Sequence, residues 1–207
     1  LVPELKDKGY VYFSPIVRLR QEFNLHTNLR PCKAYKGNPL NLKDDIDLVV
    51  FRENTEGLYA GIEFHPVPEE VFATFKKLHP KAEKFAQVPL DEMAMSTRIM
   101  TKGKCRNIVT QAFEYARKHN RTSVTVVEKP NVLRETGGLM IREARKVAEN
   151  YPEIKYYETN IDATCMWLLK NPYDYDILVA ENMFGDILSD LCAQMTGGLG
   201  FASSANI

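Results

Sequence analysis

Two aspartates, Asp186 and Asp190, lie four residues apart in a segment that predicts a helix beginning near Phe184. This spacing places both carboxylates on one face of the helix, where their repulsion costs a few tenths of a kcal/mol. A bound Mg²⁺ or Mn²⁺ would reverse that sign, because these hard cations take carboxylate oxygens. The alternative is that Asp186 favours the helix N-terminus and Asp190 is solvated, and the spacing alone favours this alternative.

Three arginines, Arg20, Arg30 and Arg52, each lie at the end of a predicted element. Three guanidinium groups suit a ligand with two or three carboxylates, because each can bind one carboxylate through two hydrogen bonds. Surface ion pairs are the equally common explanation for such residues.

Three further side chains have types that could do chemistry, and each also has an ordinary structural explanation. Lys129 ends a β-branched strand, and a lysine among cations can act as a base, although most lysines there are solvated. Tyr59 is a candidate proton donor or a packing residue. Asp162 begins a predicted helix and is either its N-cap or a third metal ligand.

Strands and helices alternate along the chain, which predicts an α/β fold. Strands are predicted over 10–13, 28–35, 46–51, 57–63, 92–100, 123–128, 154–158 and 176–180. Helices are predicted over 14–23, 71–78, 104–118, 135–149 and 162–169, and from about 184 with a buried stripe of Ile187, Leu188, Leu191 and Met195. The glycines of 197–200 predict a tight turn that is too short to indicate a dinucleotide fingerprint.

The composition is that of a globular protein, with 207 residues of which 44% are apolar and 26% charged. Lysine plus arginine and aspartate plus glutamate both number 27, so no polybasic surface for nucleic acid or membrane is expected. Four scattered cysteines without a Cys-x-x-Cys pair argue against a zinc knuckle or disulfide framework and fit a reducing compartment. The chain starts at Leu1 without a targeting signal, and we expect it to be a piece of a longer protein.

Six segments occur in the order seen in one known family. They include 52–63 (Arg-Glu-Asn-Thr-Glu-Gly-Leu-Tyr-Ala-Gly-Ile-Glu), 129–131 (Lys-Pro-Asn) and 182–190 (Asn-Met-Phe-Gly-Asp-Ile-Leu-Ser-Asp), together with 19–31, 160–166 and 197–206. With them the sequence resembles the β-decarboxylating dehydrogenases, which act on isocitrate, 3-isopropylmalate or homoisocitrate, with malate- and tartrate-acting relatives. The match covers nearly the whole chain.

The resemblance implies a role for each candidate residue. Tyr59 and Lys129 would be catalytic, and Asp162, Asp186 and Asp190 would bind Mg²⁺ or Mn²⁺. The substrate would be held by Ser14, Arg20, Arg30, Arg52 and Asn131. The nicotinamide side of NAD or NADP would meet Gly198, Gly200 and Asn206. Pro130 stands where the family usually has a small residue, and it removes a backbone donor.

The resemblance also implies an isopropylmalate/isocitrate dehydrogenase-like fold that works as a homodimer. Lys129 and Asp162 would enter the partner's active site. Residues 26–196 would form the small, dimer-forming domain, and 1–25 and 197–207 would belong to the large domain. The adenosine-reading segment of relatives lies outside the chain, so we expect the 207 residues alone to be inactive. We expect a cytoplasmic protein, or a mitochondrial matrix protein in a eukaryote.

Isocitrate is the favoured substrate, because 52–63 resembles isocitrate and homoisocitrate enzymes and Ser14 precedes Arg20 by six residues. However, Ile16 replaces the usual asparagine, and the alternative is that Ile16 and Val17 face the alkyl group of 3-isopropylmalate. A non-catalytic regulatory paralogue and a generic Rossmann-like binding domain are weaker alternatives, because every catalytic and metal residue is present.

Overall fold

The computed structural model describes residues 14–207. The strand predicted over 10–13 lies outside the described residues. None of the helices among residues 14–207 is long and apolar enough to cross a membrane.

Residues 14–207 form a six-stranded sheet and a separate two-stranded one. The strands are β1 (Thr27–Lys33), β2 (Asp47–Glu53), β3 (Glu63–Phe64), β4 (Met95–Ser96), β5 (Ser123–Glu128), β6 (Lys155–Asn160), β7 (Ile177–Ala180) and β8 (Ala205–Asn206). The main sheet has the order β6-β5-β7-β2-β1-β8. Strands β6, β5, β7 and β2 are parallel, while β1 is antiparallel to both β2 and β8. This mixed α/β sheet confirms the predicted fold class.

Helices cover both faces of the main sheet. They are α1 (Pro15–Glu22), α2 (Glu69–Leu78), α3 (Lys102–Lys118), α4 (Thr136–Ala148), α5 (Ile161–Lys170) and α6 (Asn182–Met195). Strand side chains alternate between the two faces, so Val126 packs with α3 and α4 whereas Val127 packs with α5 and α6. Of these helices, α3 and α4 bury apolar stripes against one face of the main sheet and α5 and α6 against the other, which produces three layers around two apolar clusters.

Two short predicted strands are largely wrong. Residues 57–63 form a 3-10 turn at Leu58–Ala60, with Gly57 (φ +83°) and Gly61 (φ +71°) on either side. Positive φ angles are incompatible with an extended strand, and glycine adopts them at little cost. Only Glu63–Phe64 is extended, and it pairs with Met95–Ser96, so the strand predicted over 92–100 shrinks to two residues as well.

The apolar residues of two helices are more exposed than their helical spacing predicts. On α1 the apolar residues Ile16, Leu19 and Phe23 are all more than half exposed, and Ser14 makes no capping hydrogen bond with its side chain. On α6 Leu188 and Met195 are buried as predicted, but Ile187 is 47% exposed. The predicted domain boundaries stay predictions, although β8, beyond the second boundary, pairs with β1 in the main sheet.

A buried ionic cluster joins the end of β5 to the start of α6. Glu128 and Glu181 are 0% and 2% exposed, and both lie beside Arg98. The Nη2 atom of Arg98 donates to Glu128 Oε1 at 2.7 Å and lies 3.5 Å from Glu181 Oε1. Glu181 Oε1 also accepts the backbone N–H of Phe184 at 2.9 Å, which caps α6. The cluster therefore fixes two adjacent strand ends relative to each other.

Replacing Arg98 with Met should destabilise the fold by about 3–5 kcal/mol, because two buried carboxylates lose the cation that they share. The free energy of unfolding in urea measures this change. Arg117→Met is the matched control, since Arg117 forms an exposed pair with Glu114 and its loss should cost less than about 1 kcal/mol.

The cost of Arg98→Met should also depend on pH. Burial raises the pKa of Glu128, and Arg98 opposes that rise. Without Arg98 the folded state binds a proton more tightly than the unfolded state, so stability falls as pH rises through the folded pKa. The variant should therefore be closer to wild type at pH 5 than at pH 8. Equal losses for the two arginine variants, or a larger loss at low pH, would contradict the role given to Arg98.

Candidate active site

The candidate residues gather at one edge of the main sheet. The parallel strands β6, β5, β7 and β2 all end there, and ligands in open α/β sheets bind beyond such carboxyl ends. Lys129 follows β5, Asp162 follows β6, and Arg52 lies near the end of β2. Because β1 and β8 are antiparallel, Asn28 and Asn206 face Arg52 across the sheet at this same edge.

Arg52 is the most enclosed of the three arginines and is held on several sides. It is 4% exposed, and its Nε and Nη2 atoms donate to Asn182 Oδ1 at 3.1 and 2.8 Å. Its Nη1 atom forms an ion pair with Asp186. A Cβ on Gly185 would lie 2.6 Å from the Cβ of Arg52, so only glycine lets α6 approach this closely.

Tyr59 joins the same group of side chains. Its hydroxyl donates to Asp186 Oδ2 at 3.0 Å, and the Arg52 guanidinium lies 5.5 Å from the centre of its ring. Burial raises the pKa of Tyr59, and the hydrogen bond to the Asp186 carboxylate raises it further. The phenol therefore keeps its proton at neutral pH, as a proton donor must.

The other two arginines lie next to Arg52. Arg30 donates to Asn28 at 2.9 Å and forms an ion pair with Asp190 at 3.2 Å. Burial and the positive charge of Arg30 lower the pKa of Arg20. Burial also lowers the pKa of Arg52, and Arg20 and Arg30 lower it further, so the three charges act on one another. Such a group favours an anion that carries several carboxylates.

Lys129 and Asp162 form a second, separate pair. The Lys129 Nζ atom donates to Asp162 in the first turn of α5, and this hydrogen bond lowers the pKa of Asp162. The backbone turn after Lys129 is closed by the N–H of Leu133, which donates to the Lys129 carbonyl at 2.8 Å. The missing N–H of Pro130 is therefore not needed in this turn.

The structure brings together only part of the predicted metal set. Asp186 and Asp190 both face the arginine group, as their spacing predicts. Over residues 14–207, no group of three or more histidines, cysteines, aspartates and glutamates is placed to hold a metal ion. Two carboxylates on one helix face fit part of a Mg²⁺ or Mn²⁺ site, and Asp162 would have to join them from another subunit.

The remaining predicted residues lie at the ends of elements. Ser14 precedes α1, and Asn131 is exposed after Lys129. Gly198 has a φ of +103° in the turn after α6, whereas a Cβ on Gly200 would meet nothing within 4 Å. Asn206 lies in β8 and accepts a hydrogen bond from Arg20.

Sequence reasoning missed several residues that shape the site. Asn182 and Gly185 lie inside the 182–190 motif and could have been found there, because both hold Arg52 in place. Arg98 gave no signal, since it lies in an irregular segment after β4. Asn28 and Asn54 lie inside the segments 19–31 and 52–63, but their importance comes from long-range contacts with Asn206.

Comparisons with known proteins agree with this geometry. The sequence model of the isocitrate/isopropylmalate dehydrogenase family matches residues 3–207. A probable mitochondrial NAD isocitrate dehydrogenase subunit alpha from Drosophila melanogaster is 40% identical over 205 residues, which are 99% of this chain and 48% of that protein. A chloroplastic 3-isopropylmalate dehydrogenase from Solanum tuberosum is 41% identical over 189 residues, covering 91% of this chain and 46% of that protein.

Solved structures give the same result. The crystal structure of isocitrate dehydrogenase from Methylococcus capsulatus superposes with a TM-score of 0.80 at 39% identity, covering 96% of this chain and 53% of that chain. The chain spans about half the length of the curated relatives it matches. The predicted resemblance is confirmed, and the chain belongs to the isocitrate/isopropylmalate dehydrogenase family.

Proposed function

We propose that this chain is part of a longer NAD-dependent dehydrogenase that oxidises and decarboxylates isocitrate to 2-oxoglutarate and CO₂. The observation that carries the proposal is the group of three guanidiniums around Tyr59, Asp186 and Asp190 at the carboxyl edge of the sheet. It provides anion-binding groups, cation-binding groups and a proton donor within one cluster.

The arginines bind and orient the substrate. Arg30 and Arg52 face carboxylates of the protein here, and each can exchange that partner for a substrate carboxylate of the same geometry. Orientation fixes which C–H bond points toward the nicotinamide and contributes to the rate by holding a reactive geometry.

Asp186 and Asp190, with Asp162 of the partner subunit, would hold Mg²⁺ or Mn²⁺. When bound, the metal polarises the substrate's oxygen atoms and stabilises developing negative charge. NAD is proposed as the hydride acceptor because the Drosophila relative is named an NAD enzyme.

Lys129 and Tyr59 move the protons. Lys129 would take the hydroxyl proton of the substrate, and a bound nicotinamide would supply the hydride acceptor that the oxidation of the alcohol to a β-keto acid requires. The C–C bond to the adjacent carboxylate then breaks, CO₂ leaves, and the electron pair stays on the substrate as an enolate. Tyr59 protonates the enolate carbon, a role that its retained proton suits.

Two copies of the chain would complete each other's sites. Lys129 pairs with Asp162, while Tyr59, Arg52 and Asp186 form their own group. Each chain therefore carries one half of each kind, and these two halves would belong to two different sites. The second copy would supply the complementary half of each site. A location in the cytoplasm, or in the mitochondrial matrix of a eukaryote, fits this proposal, and the Drosophila relative is named a mitochondrial protein.

3-Isopropylmalate is the second candidate substrate. The potato 3-isopropylmalate dehydrogenase is as similar to this chain as the Drosophila protein, so identity does not separate the two substrates. Ile16 and Val17 lie exposed on α1, where an alkyl group would find apolar contact. Homoisocitrate fits the same arginines, and a non-catalytic paralogue is disfavoured by the presence of Lys129 and Tyr59.

The full-length protein should reduce NAD fastest with isocitrate. The measurement follows nicotinamide absorbance with Mg²⁺ present and compares isocitrate, homoisocitrate, 3-isopropylmalate and malate, each with NAD and with NADP. A clear preference for 3-isopropylmalate would overturn the substrate and keep the mechanism. No turnover with any of the four acids would favour the non-catalytic paralogue.

Replacing Lys129 with Met or Tyr59 with Phe should lower kcat by about 10²–10⁴-fold, because each removes a proton-transfer group. The KM for the substrate should change far less. Lys155→Met and Tyr157→Phe are the controls, since both residues are exposed on β6 away from the arginine group. Wild-type kcat in either active-site variant would contradict the roles assigned here.

Mixed dimers test whether the sites are shared. A subunit with Lys129→Met and a subunit with Asp186→Asn are each inactive alone, but together they should form one intact site and recover about half of the activity per heterodimer. Tyr59→Phe combined with Asp186→Asn should recover none, because Tyr59 and Asp186 belong to the same half. Recovery in the second mixture, or none in the first, would show that the halves are divided differently.

A further inference from the structure

Asn206 accepts an unusual number of hydrogen bonds through one atom. Its Oδ1 atom accepts from Arg20 Nε at 3.1 Å, from Asn28 Nδ2 at 3.0 Å and from Asn54 Nδ2 at 2.8 Å. Asn28 and Asn54 are buried, so their amides have lost water as an alternative partner. Three donors aimed at one atom also fix the orientation of the Asn206 amide, because its NH₂ group could accept none of them.

The backbone holds Asn206 in place as firmly as the side chains do. Asn206 pairs with Asn28 across β8 and β1, and the next residue, Ile207, exchanges two backbone hydrogen bonds with Thr27 at 2.9 Å each. The side-chain amide oxygen of Asn206 is therefore held in a fixed position, and the long Arg20 side chain is hydrogen-bonded to it.

Arg20 differs from its neighbours in the partner that holds it. Arg30 and Arg52 form ion pairs with Asp190 and Asp186, whereas no ion pair to Arg20 occurs within residues 14–207. A neutral amide oxygen accepts the hydrogen bond from Arg20 Nε, and the two terminal nitrogens of Arg20 take no part in that contact. An amide positions the guanidinium without neutralising its charge.

We propose that Asn206 is a positioning residue for the substrate, which holds Arg20 through a neutral acceptor so that the guanidinium keeps its charge for a substrate carboxylate. The inference rests on the proposed function, since it assumes that Arg20 binds the acid. It gives Asn206 a different role from the contact with the nicotinamide cofactor that the sequence predicts.

Asn206→Asp separates positioning from a purely structural role. An aspartate is nearly the same shape and can still accept all three hydrogen bonds, so the fold should survive with an unchanged thermal midpoint. Its negative charge, however, would pair with Arg20 and repel an incoming carboxylate. A structural role predicts that Asp is tolerated, whereas positioning by a neutral group predicts that Asp is worse than Ala.

The experiment measures binding to the full-length protein by calorimetry, with isocitrate plus Mg²⁺ as one probe and NAD as the other. Asn206→Asp should weaken isocitrate binding by about tenfold or more and raise its KM, with kcat changed much less. Asn206→Ala should weaken binding less, and NAD affinity should stay within about twofold in both. Asn150→Asp is the control, because it adds the same charge at an exposed position after α4.

Unchanged isocitrate affinity in Asn206→Asp, or no isocitrate binding by the wild type, would overturn the inference. A selective loss of NAD affinity would also overturn it and support the cofactor contact instead. If the wild type turns over none of the acids yet binds isocitrate in a manner that depends on Asn206, the proposed function fails and this inference stands.

Discussion

The buried cluster of Glu128, Arg98 and Glu181 is the constraint on which the candidate site depends. Two carboxylates share one guanidinium inside the protein, and such a group is stable only when its geometry is tightly held. Glu128 Oε2 accepts the backbone N–H of Lys129, and Glu181 caps the helix that carries Asp186 and Asp190. Glycines border both carboxylates, since a Cβ on Gly57 or Gly137 would come within 2.6 or 2.8 Å of an oxygen. The segment that carries Lys129 and the helix that carries Asp186 and Asp190 are therefore both anchored to the same buried ionic cluster.

The side chains of the site form a network of opposite charges that hold one another in place. Asp186 is paired with Arg52 and accepts a hydrogen bond from the Tyr59 hydroxyl, so one carboxylate contacts both an anion-binding group and a proton donor. A metal cation that binds Asp186 would weaken its ion pair with Arg52 and leave Arg52 available for a substrate carboxylate. Binding of the cation and binding of the anionic substrate would therefore be coupled. The enclosed position of Arg52 strengthens this exchange, because charges interact more strongly away from water.

Local pattern was enough to predict most of the elements, and it failed where long-range contacts decide the structure. Strand β5 has the bounds that the β-branched run 123–128 predicts. A parallel strand that is buried on both faces needs such a continuous run, so local sequence is enough to identify it. Residues 57–63 are also largely apolar, but two glycines with positive φ turn the chain there instead. In the site, Asp186 and Asp190 were found because their spacing carries the signal. The contact between Arg20 and Asn206 joins residues 186 positions apart, and no local pattern encodes it.

The strand order fits the proposal that a second copy completes the site. Along the carboxyl edge the order is β6, β5, β7, β2, and adjacent strands are about 4.8 Å apart. Lys129 after β5 pairs toward β6 with Asp162, whereas Asp186 after β7 pairs toward β2 with Arg52. The Lys129–Asp162 pair and the Asp186–Arg52 pair thus lie in opposite directions along this edge of the sheet. In the proposed symmetric dimer, a two-fold axis would place each half of one copy against the complementary half of the other. A partner chain of different sequence would have to supply its own lysine and aspartate at these positions to do the same.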